Sequence, residues 1–118
     1  MPTRNAHLRA YEKKLFSCSL GGVMREKVIE QKLINAVKIS GGIAPKLTCP
    51  GFDGMPDRMV LLPGGHVGFV EVKAPGKKPR QLQLSRQRLL RRLGFKAYVL
   101  DRTEQIEKII QEIGGDVE

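Results

Sequence analysis

Three side chains near the middle of the chain have the types and spacing needed for hydrolytic chemistry. Glu71 and Lys73 are two apart in the β-type run Val67–Lys73, so alternation puts them on one face, about 6.6 Å apart along the strand. Asp57 opens the preceding run, directly after the turn formers Gly54-Met55-Pro56. Two carboxylates on adjacent strands suit Mg²⁺, and a lysine beside them can orient a water or stabilise charge on a phosphate.

Each part of this arrangement also has a structural interpretation. A Glu and a Lys two apart on a strand face often belong to a cross-strand ion pair. A Pro-Asp pair often forms a turn. The metal interpretation therefore requires that both carboxylates project from one face of the hairpin formed by the two runs.

The connection between the runs decides this requirement, because directly opposed residues of an antiparallel pair share a face. A two-residue turn at Gly64-Gly65 would set Asp57 opposite Val72, on the wrong face. A loop with an odd count, Gly64-Gly65-His66 or a five-residue version, would set Asp57 opposite Lys73. The sequence therefore predicts an odd-membered connection with Gly64 or Gly65 at positive φ, or a compensating bulge.

The elements around these runs indicate a small α/β domain with the order α-β-β-β-α-β-α. In the second helix, Leu82, Leu89 and Leu93 are expected to face inward and Gln87 to lie on the surface. Thr103 is a candidate N-cap, and Pro45 weakens the first strand. The predicted elements are a helix over 26–40, a strand around Ile43–Cys49, strands Arg58–Leu62 and Val67–Lys73, a helix over Arg80–Leu93, a strand over Lys96–Asp101 and a helix over Thr103–Ile113.

Composition limits the class of protein. A length of 118 residues, 41% hydrophobic and 28% charged, suits one folded domain. The longest aliphatic run, Met59–Leu62, is far too short to span a membrane. Cys18 and Cys49 form no CxxC pair, so we expect neither a disulfide framework nor a zinc site, and a reducing compartment. Residues 1–23 are expected to be a flexible basic N-terminal arm or extension before a domain over 24–118; a transit peptide is the alternative.

The positive charge is concentrated. The net charge is +9, and nine Lys or Arg residues and no acidic residue lie between Lys73 and Lys96. Such a segment attracts polyanions, most commonly nucleic acid, although a solvated helix face is the plain alternative. Only six Tyr and Phe residues occur and no Trp, which favours a duplex or branched DNA held through phosphates over rows of stacked bases. The expected DNA-binding residues are Lys77, Lys78, Arg80, Arg88, Arg91 and Arg92.

The order and spacing of these residues resemble the PD-(D/E)XK nuclease superfamily and, within it, the VRR-NUC (virus-type replication-repair nuclease) family. The resemblance covers residues 26 to about 105 and is specific from Gly54 to Gln83. The matching residues are Gly54–Leu61, Gly64-Gly65, Phe69–Gly76, Lys78-Pro79, Gln83, Leu90 and Gly94-Phe95, with Glu30, Leu33, Gly41-Gly42 and Lys46 before them.

The resemblance implies a restriction-endonuclease-like core, a mixed sheet flanked by helices. It implies Asp57, Glu71 and the backbone carbonyl of Val72 as metal ligands, Lys73 as the catalytic lysine and Gln83 as the motif glutamine near the site. It also suggests Glu30 as an auxiliary acid at the metal. For Glu30 the helical pattern leaves an exposed position, with Glu26 and Ile34 as neighbours, equally open.

The activity implied is that of a Mg²⁺-dependent deoxyribonuclease, with Mn²⁺ as a substitute and no organic cofactor. Stand-alone members of this kind resemble homodimeric endonucleases that cut branched DNA such as four-way junctions. They act in the cytoplasm of a bacterial host cell and can be phage-encoded. The alternatives from other classes are a non-catalytic nucleic-acid-binding module, a basic accessory protein of replication or packaging and, among enzymes, a restriction-type endonuclease.

Overall fold

A mixed sheet organises residues 25–115, the part of the chain that the computed structural model describes. Strands β1 (Arg58–Leu62) and β2 (His66–Val72) are antiparallel, and β3 (Lys96–Leu100) runs parallel to β2 at the other side. This confirms the predicted α/β class. The predicted arm over 1–23 lies outside the described residues. The helices are α1 (Glu26–Ile39), α2 (Gln81–Arg92), a 3₁₀ turn (Thr103–Gln105) and α3 (Ile106–Gly114).

The strand predicted around Ile43–Cys49 is present only as an extended segment beside β1. Isolated bridges join Ile43 to Leu61 and Lys46 to Arg58. The carbonyl of Pro45 accepts a bond of 3.0 Å from the Met59 N–H, but proline has no N–H to return. The ladder is therefore interrupted in its middle, and the segment stays a broken edge strand.

The β1–β2 connection is odd-membered, as the metal interpretation requires. Leu62 pairs with His66 and Arg58 with Val70, so the loop consists of Pro63, Gly64 and Gly65. Both glycines have positive φ, 91° and 80°. The expected loop Gly64-Gly65-His66 and its register were wrong by one residue on each side, because Pro63 leaves β1 before the turn.

One face of the sheet is covered by α1 and α3. Ile29, Leu33 and Val37 of α1 and Ile106, Ile109, Ile110 and Ile113 of α3 pack with the inward residues of the strands, Val60, Leu62, Val70, Val72 and Leu100. Gly68 of β2 allows α3 to approach, because a Cβ there would lie 2.4 Å from Ile113 Cδ1. This layer is the hydrophobic core that holds the strands in register.

Helix α2 covers the other face of the sheet. The side of α2 that is buried differs from the predicted side. Gln83, Gln87 and Leu90 are buried, whereas Leu82 is 41% and Leu93 62% exposed. The prediction that Leu82 and Leu93 face inward and Gln87 outward was wrong, because two glutamines find hydrogen-bond partners under the helix and the leucine stripe lies along its flank.

Two further observations complete the fold. Thr103 starts the 3₁₀ turn rather than capping α3, and the side-chain amide oxygen of Gln105 accepts the N–H of Asp101 at 3.0 Å.

Among residues 25–115, no helix has the length and apolar character needed to cross a membrane.

Candidate active site

Asp57 lies at the start of β1, held from both sides. Its carbonyl accepts the N–H of Leu47 at 2.8 Å. Its carboxylate oxygen Oδ2 accepts the N–H of Val72 at 3.0 Å. Continuing the hairpin register by one residue from the Arg58–Val70 pair sets Asp57 beside Glu71. The two carboxylates therefore share the face of the sheet that α2 covers.

Glu71 is buried beneath α2, with 1% of its surface exposed. Its Oε2 accepts a hydrogen bond of 2.9 Å from Gln83 Nε2 and lies 3.5 Å from Lys73 Nζ. Its Oε1 is buried and receives no hydrogen bond from any described residue. A buried carboxylate oxygen without a donor is costly, so this oxygen is the one open to an incoming cation.

Burial and, after it, the nearby Asp57 carboxylate raise the pKa of Glu71 to about 7, while Lys73 acts in the opposite direction. Two carboxylates that cannot both ionise cheaply form a site that prefers to share a cation. The protein alone supplies too little positive charge here to balance them.

Gln83 connects the site to α2. It is the third residue of the helix, and its Oε1 accepts the N–H of Arg80 at 2.8 Å while its Nε2 binds Glu71. The side-chain amide therefore has two roles. Its oxygen satisfies a backbone N–H at the start of the helix, and its nitrogen fixes the Glu71 carboxylate. The structure places Gln83 beside Glu71, and its role in catalysis stays a prediction.

The backbone of Val72 lies opposite a proline. Continuing the hairpin register by two residues from the Arg58–Val70 pair sets Val72 opposite Pro56, and the Val72 N–H goes to the Asp57 side chain. An antiparallel hydrogen-bonded pair exchanges two N–H groups, but Pro56 has none to give. In a strand, the carbonyl of a residue points to the same edge as its N–H, and the Val72 N–H meets Asp57. The Val72 carbonyl is therefore a candidate third oxygen beside the two carboxylates.

These atoms fit a hard divalent cation. Mg²⁺ takes oxygen ligands and commonly only one or two carboxylates, with water and substrate oxygens completing its shell. Asp57, the Oε1 of Glu71 and the Val72 carbonyl form such a donor set. Within residues 25–115 no group of three His, Cys, Asp or Glu side chains stands ready to hold a metal, so the carbonyl matters to the fit.

Glu30, the suggested auxiliary acid, is brought to a different partner. Its Oε2 lies 2.8 Å from Arg58 Nε, and Arg58 also donates to the carbonyl of Ala44 at 3.0 Å. Arg58 has the same parity as the buried Val60, so its side chain belongs to the α1 face of the sheet, opposite Asp57 and Glu71. The structure thus brings Glu30 into an ion pair on the α1 side, and its metal role stays a prediction.

The six expected DNA-binding residues are all exposed to solvent. Arg91 also has a structural contact, because its Nε and Nη2 both donate to the carbonyl of Ala97, at 3.0 and 2.6 Å. That interaction ties α2 to β3. These exposed cations are Lys77, Lys78, Arg80, Arg88, Arg91 and Arg92.

Sequence reasoning missed two neighbours of the site. Phe52 is 43% exposed, and the guanidinium of Arg86 lies over its ring, 3.8 Å from the centroid. The available signal was an aromatic residue in a turn-rich loop of a chain that has few aromatics. The spacing of residues along the chain does not indicate that this loop and α2 meet.

The comparisons with known proteins agree with this geometry. No family model matches the chain. Over 79 residues it is 48% identical to the "Putative nuclease p44" of Acyrthosiphon pisum secondary endosymbiont phage 1, covering 67% of this chain and 85% of that protein. A solved structure described as "VRR_NUC domain" superposes with a TM-score of 0.68 at 31% identity, over 72% of this chain and 92% of the other. With the fold, the paired carboxylates and these relatives together, the chain belongs to the VRR-NUC family of nucleases.

Proposed function

We propose that the protein hydrolyses DNA phosphodiesters with a Mg²⁺ ion, for which Mn²⁺ can substitute, held by Asp57, Glu71 and the Val72 carbonyl. The observation that carries the proposal is the buried Oε1 of Glu71, which receives no hydrogen bond from any described residue and lies on the same face as Asp57. When bound, the ion supplies Lewis acidity and positive charge to the phosphate and the attacking water.

The chain's own residues prepare the site. Gln83 holds Oε2 of Glu71, so Oε1 has a fixed direction. Lys73, whose side chain is 18% exposed and whose Nζ is 3.5 Å from Glu71 Oε2, is the ammonium at the mouth of the site. It orients the water and stabilises charge that develops on the phosphate. The burial of Glu71 beneath α2 excludes bulk water and strengthens these interactions.

The substrate is held through its phosphates. The exposed cations of the 73–80 loop and of α2 lie on the face of the sheet that carries Glu71, and no acidic residue occurs between Lys73 and Lys96. Phosphate contacts of this kind give affinity without sequence preference. Branched DNA, such as a four-way junction, is the proposed preferred substrate, since a small basic face suits a bent or open duplex better than sequence readout.

The active form is proposed to be a homodimer. An apolar row crosses the α2 face at the end of the sheet away from Asp57, from Ile43 to Leu61 and Val67. Continuing the β2–β3 register by one residue from the Gly68–Lys96 pair adds Phe95 to this row. Ile43 is 56%, Phe95 45% and the adjacent Leu93 62% exposed. A two-fold axis through such a patch buries it on both subunits and supplies two active sites for two strands.

Sedimentation equilibrium tests the homodimer. We expect the native chain to be dimeric and Leu93→Glu to be monomeric, because a desolvated carboxylate would disrupt the patch. Ile39→Glu is the matched control, since Ile39 is 39% exposed on α1 and should leave the dimer intact. A native chain that stays monomeric at high protein concentration contradicts the homodimer but not the nuclease activity.

A cleavage assay tests the activity. Supercoiled plasmid, linear duplex, flap and four-way junction are incubated with Mg²⁺, Mn²⁺ or EDTA. Asp57→Asn, Glu71→Gln and Lys73→Gln should each reduce cleavage about 100-fold or more, with DNA binding largely retained. Lys108→Gln, at a lysine whose side chain is 80% exposed on α3, is the matched control. Native cleavage rates in EDTA or in any of the three site variants would contradict the proposal, and binding without cleavage would favour a non-catalytic module.

A further inference from the structure

A cavity adjoins the candidate active site. It has a volume of about 320 Å³ and is lined by residues of the segment from Leu47 to Met55. Leu47, at one end of this lining, donates its N–H to the carbonyl of Asp57 at 2.8 Å. The cavity wall is therefore hydrogen-bonded directly to the residue that carries one of the two carboxylates. Its size is at the lower end of the range of small-ligand sites.

The cavity presents an aromatic ring that is held in place. Phe52 lines it and is 43% exposed. The guanidinium of Arg86 lies 3.8 Å from the ring centroid, covering one face, and its Nε donates to the carbonyl of Asp53 at 2.8 Å. A ring clamped in this way loses little conformational entropy when a second planar group stacks on its remaining surface.

The loop that carries Phe52 is docked rather than free. Gly54 has a φ of +90°, and a Cβ there would lie 2.7 Å from Leu82 Cγ. Its close approach to α2 fixes the loop against the helix that holds Glu71 through Gln83. Arg86 is three residues after Gln83, about 4.5 Å farther along the helix axis. Arg86, which contacts the Phe52 ring, and Gln83, which holds Glu71, are thus about one helical turn apart on α2.

The chemistry of this surface suits a nucleobase. Every base has a π-face that stacks on an aromatic side chain, and an arginine beside it adds a cation–π contribution. Leu47 and Met55 give the cavity apolar walls, and Thr48 and Asp53 add polar groups that can meet a base edge. A base within a continuous duplex cannot enter, because its faces are covered by its neighbours.

We propose that this cavity binds one unpaired nucleobase next to the phosphate that is cleaved, with Phe52 as the stacking surface and Arg86 as the residue that positions it. The inference rests on the proposed nuclease function and deepens it. It makes Phe52 a determinant of substrate structure rather than of sequence, since stacking tolerates every base. Branch points and bulges supply the unpaired base, and a continuous duplex does not.

Fluorescence anisotropy in EDTA tests this inference without cleavage. Three labelled duplexes of equal length are compared: one fully paired, one with a single unpaired nucleotide, and one with an abasic site in place of that nucleotide. The native protein should prefer the unpaired base about tenfold over both others. The abasic duplex has the same flexible backbone but no base, so it separates stacking from easier bending.

Variants assign the preference to the ring. In Phe52→Ala, the affinity for the duplex with an unpaired nucleotide, divided by that for the paired duplex, should fall to about one, with unchanged affinity for the paired duplex. Phe52→Tyr should retain the native preference. Ile39→Ala removes another exposed apolar side chain, on α1, and should leave the preference intact. A native protein without the preference, an equal preference for the abasic duplex, or a preference that survives in Phe52→Ala overturns the inference.

The two proposals fail separately. Cleavage of the paired duplex in Mg²⁺ with no preference for the unpaired base in EDTA removes the base site and leaves the nuclease. A base preference that depends on Phe52, together with no cleavage of any DNA, removes the nuclease and leaves the base site. No binding to any of the three duplexes overturns both.

Discussion

Gln83 Nε2 and Glu71 Oε2 are joined by a buried hydrogen bond of 2.9 Å. The bond links the first turn of α2 to the central strand, and it occupies the one Glu71 oxygen that Lys73 also approaches. The other oxygen keeps its lone pairs. A single amide therefore decides which half of the carboxylate remains available for a cation.

Replacing Gln83 with Leu should weaken Mg²⁺ binding and cleavage about 10–100-fold, because residues that orient a metal ligand typically contribute that much. The measurement is the Mg²⁺ concentration dependence of cleavage: the variant should require more Mg²⁺ and recover part of its rate at high concentration. Gln87→Leu is the control. Gln87 is also buried in α2, but its Nε2 donates to the carbonyl of Tyr98 at 3.1 Å, so its replacement should affect stability and not Mg²⁺ dependence.

The protonation of Glu71 should make stability depend on pH in the absence of metal. Its folded pKa of about 7 lies above the ordinary 4.5, so the native state binds the extra proton between these values. The stabilisation is complete below about pH 4.5 and is lost as the pH rises through about 7. Urea unfolding in EDTA should show a larger decrease from about pH 5 to about pH 8 in the native chain than in Glu71→Gln, by on the order of 2 kcal/mol.

Metal should reverse this loss. At about pH 8, Mg²⁺ should raise the free energy of unfolding of the native chain and not that of Glu71→Gln, since a ligand that binds only the folded state stabilises it. Equal responses of the two proteins to Mg²⁺ would show that Glu71 is not a ligand.

Pro56 should favour Mg²⁺ binding because it has no N–H to donate to the Val72 carbonyl. Pro56→Ala supplies an N–H opposite the Val72 carbonyl. We expect about tenfold weaker Mg²⁺ binding, in line with the removal of one ligand-orienting feature, and a similar or slightly lower melting temperature. Isothermal titration with Mg²⁺ measures it, with Pro63→Ala in the β1–β2 loop as the matched substitution. An unchanged Mg²⁺ affinity would remove the Val72 carbonyl from the ligand set.

Gly68 should tolerate no side chain while Ile113 is present. A Cβ at Gly68 would lie 2.4 and 2.5 Å from two Ile113 atoms, so Gly68→Ala should destabilise the protein by about 1–3 kcal/mol. In the Ile113→Ala background the same substitution should cost much less, which a double-mutant cycle of urea unfolding measures. Additive effects would mean that α3 does not pack against Gly68.

Arg88 and Arg92 should contribute to the salt dependence of DNA binding. Changing both to Gln should reduce the slope of log K against log salt by about 0.9 for each phosphate that the protein no longer neutralises, with no change of sequence preference. Lys27 and Lys38 are exposed on α1, on the other side of the sheet, and their double change to Gln should leave the slope unaltered. An unchanged slope in the variant with both Arg88 and Arg92 replaced would show that DNA binds to another surface.

The elements were largely predictable because each has a strong local signal. The alternation of Val67–Lys73 and the isoleucine spacing of α3 are set by burial on one face, and burial leaves its period in the sequence. An odd number of residues in the loop around Gly64 and Gly65 was predictable, because Asp57 and Glu71 can project from the same face only with such a loop. The exact register could not be obtained, because only packing shows that Pro63 belongs to the turn.

The side of α2 that is buried could not be predicted. Hydrophobic spacing favoured Leu82, Leu89 and Leu93, but Gln83 and Gln87 are buried because Glu71 and Tyr98 accept their hydrogen bonds. These partners lie on strands 11 to 12 residues away along the chain, and no local pattern reports them. The Glu30–Arg58 pair, 28 residues apart, is invisible to sequence reasoning for the same reason.

The hydrogen bonds from Arg91 to Ala97 have a consequence for how this protein avoids aggregating. Among residues 25–115, β3 is an edge strand of the sheet, and the carbonyl of Leu100 accepts the Lys73 N–H on the β2 side. Carbonyls alternate in direction along a strand, so that of Ala97 points to the open edge, where a foreign strand would dock. Arg91 occupies it with two donors and places a cation there. The carbonyl of Ala97 is thereby unavailable to an added strand, so copies of the chain cannot extend one another's sheets through it.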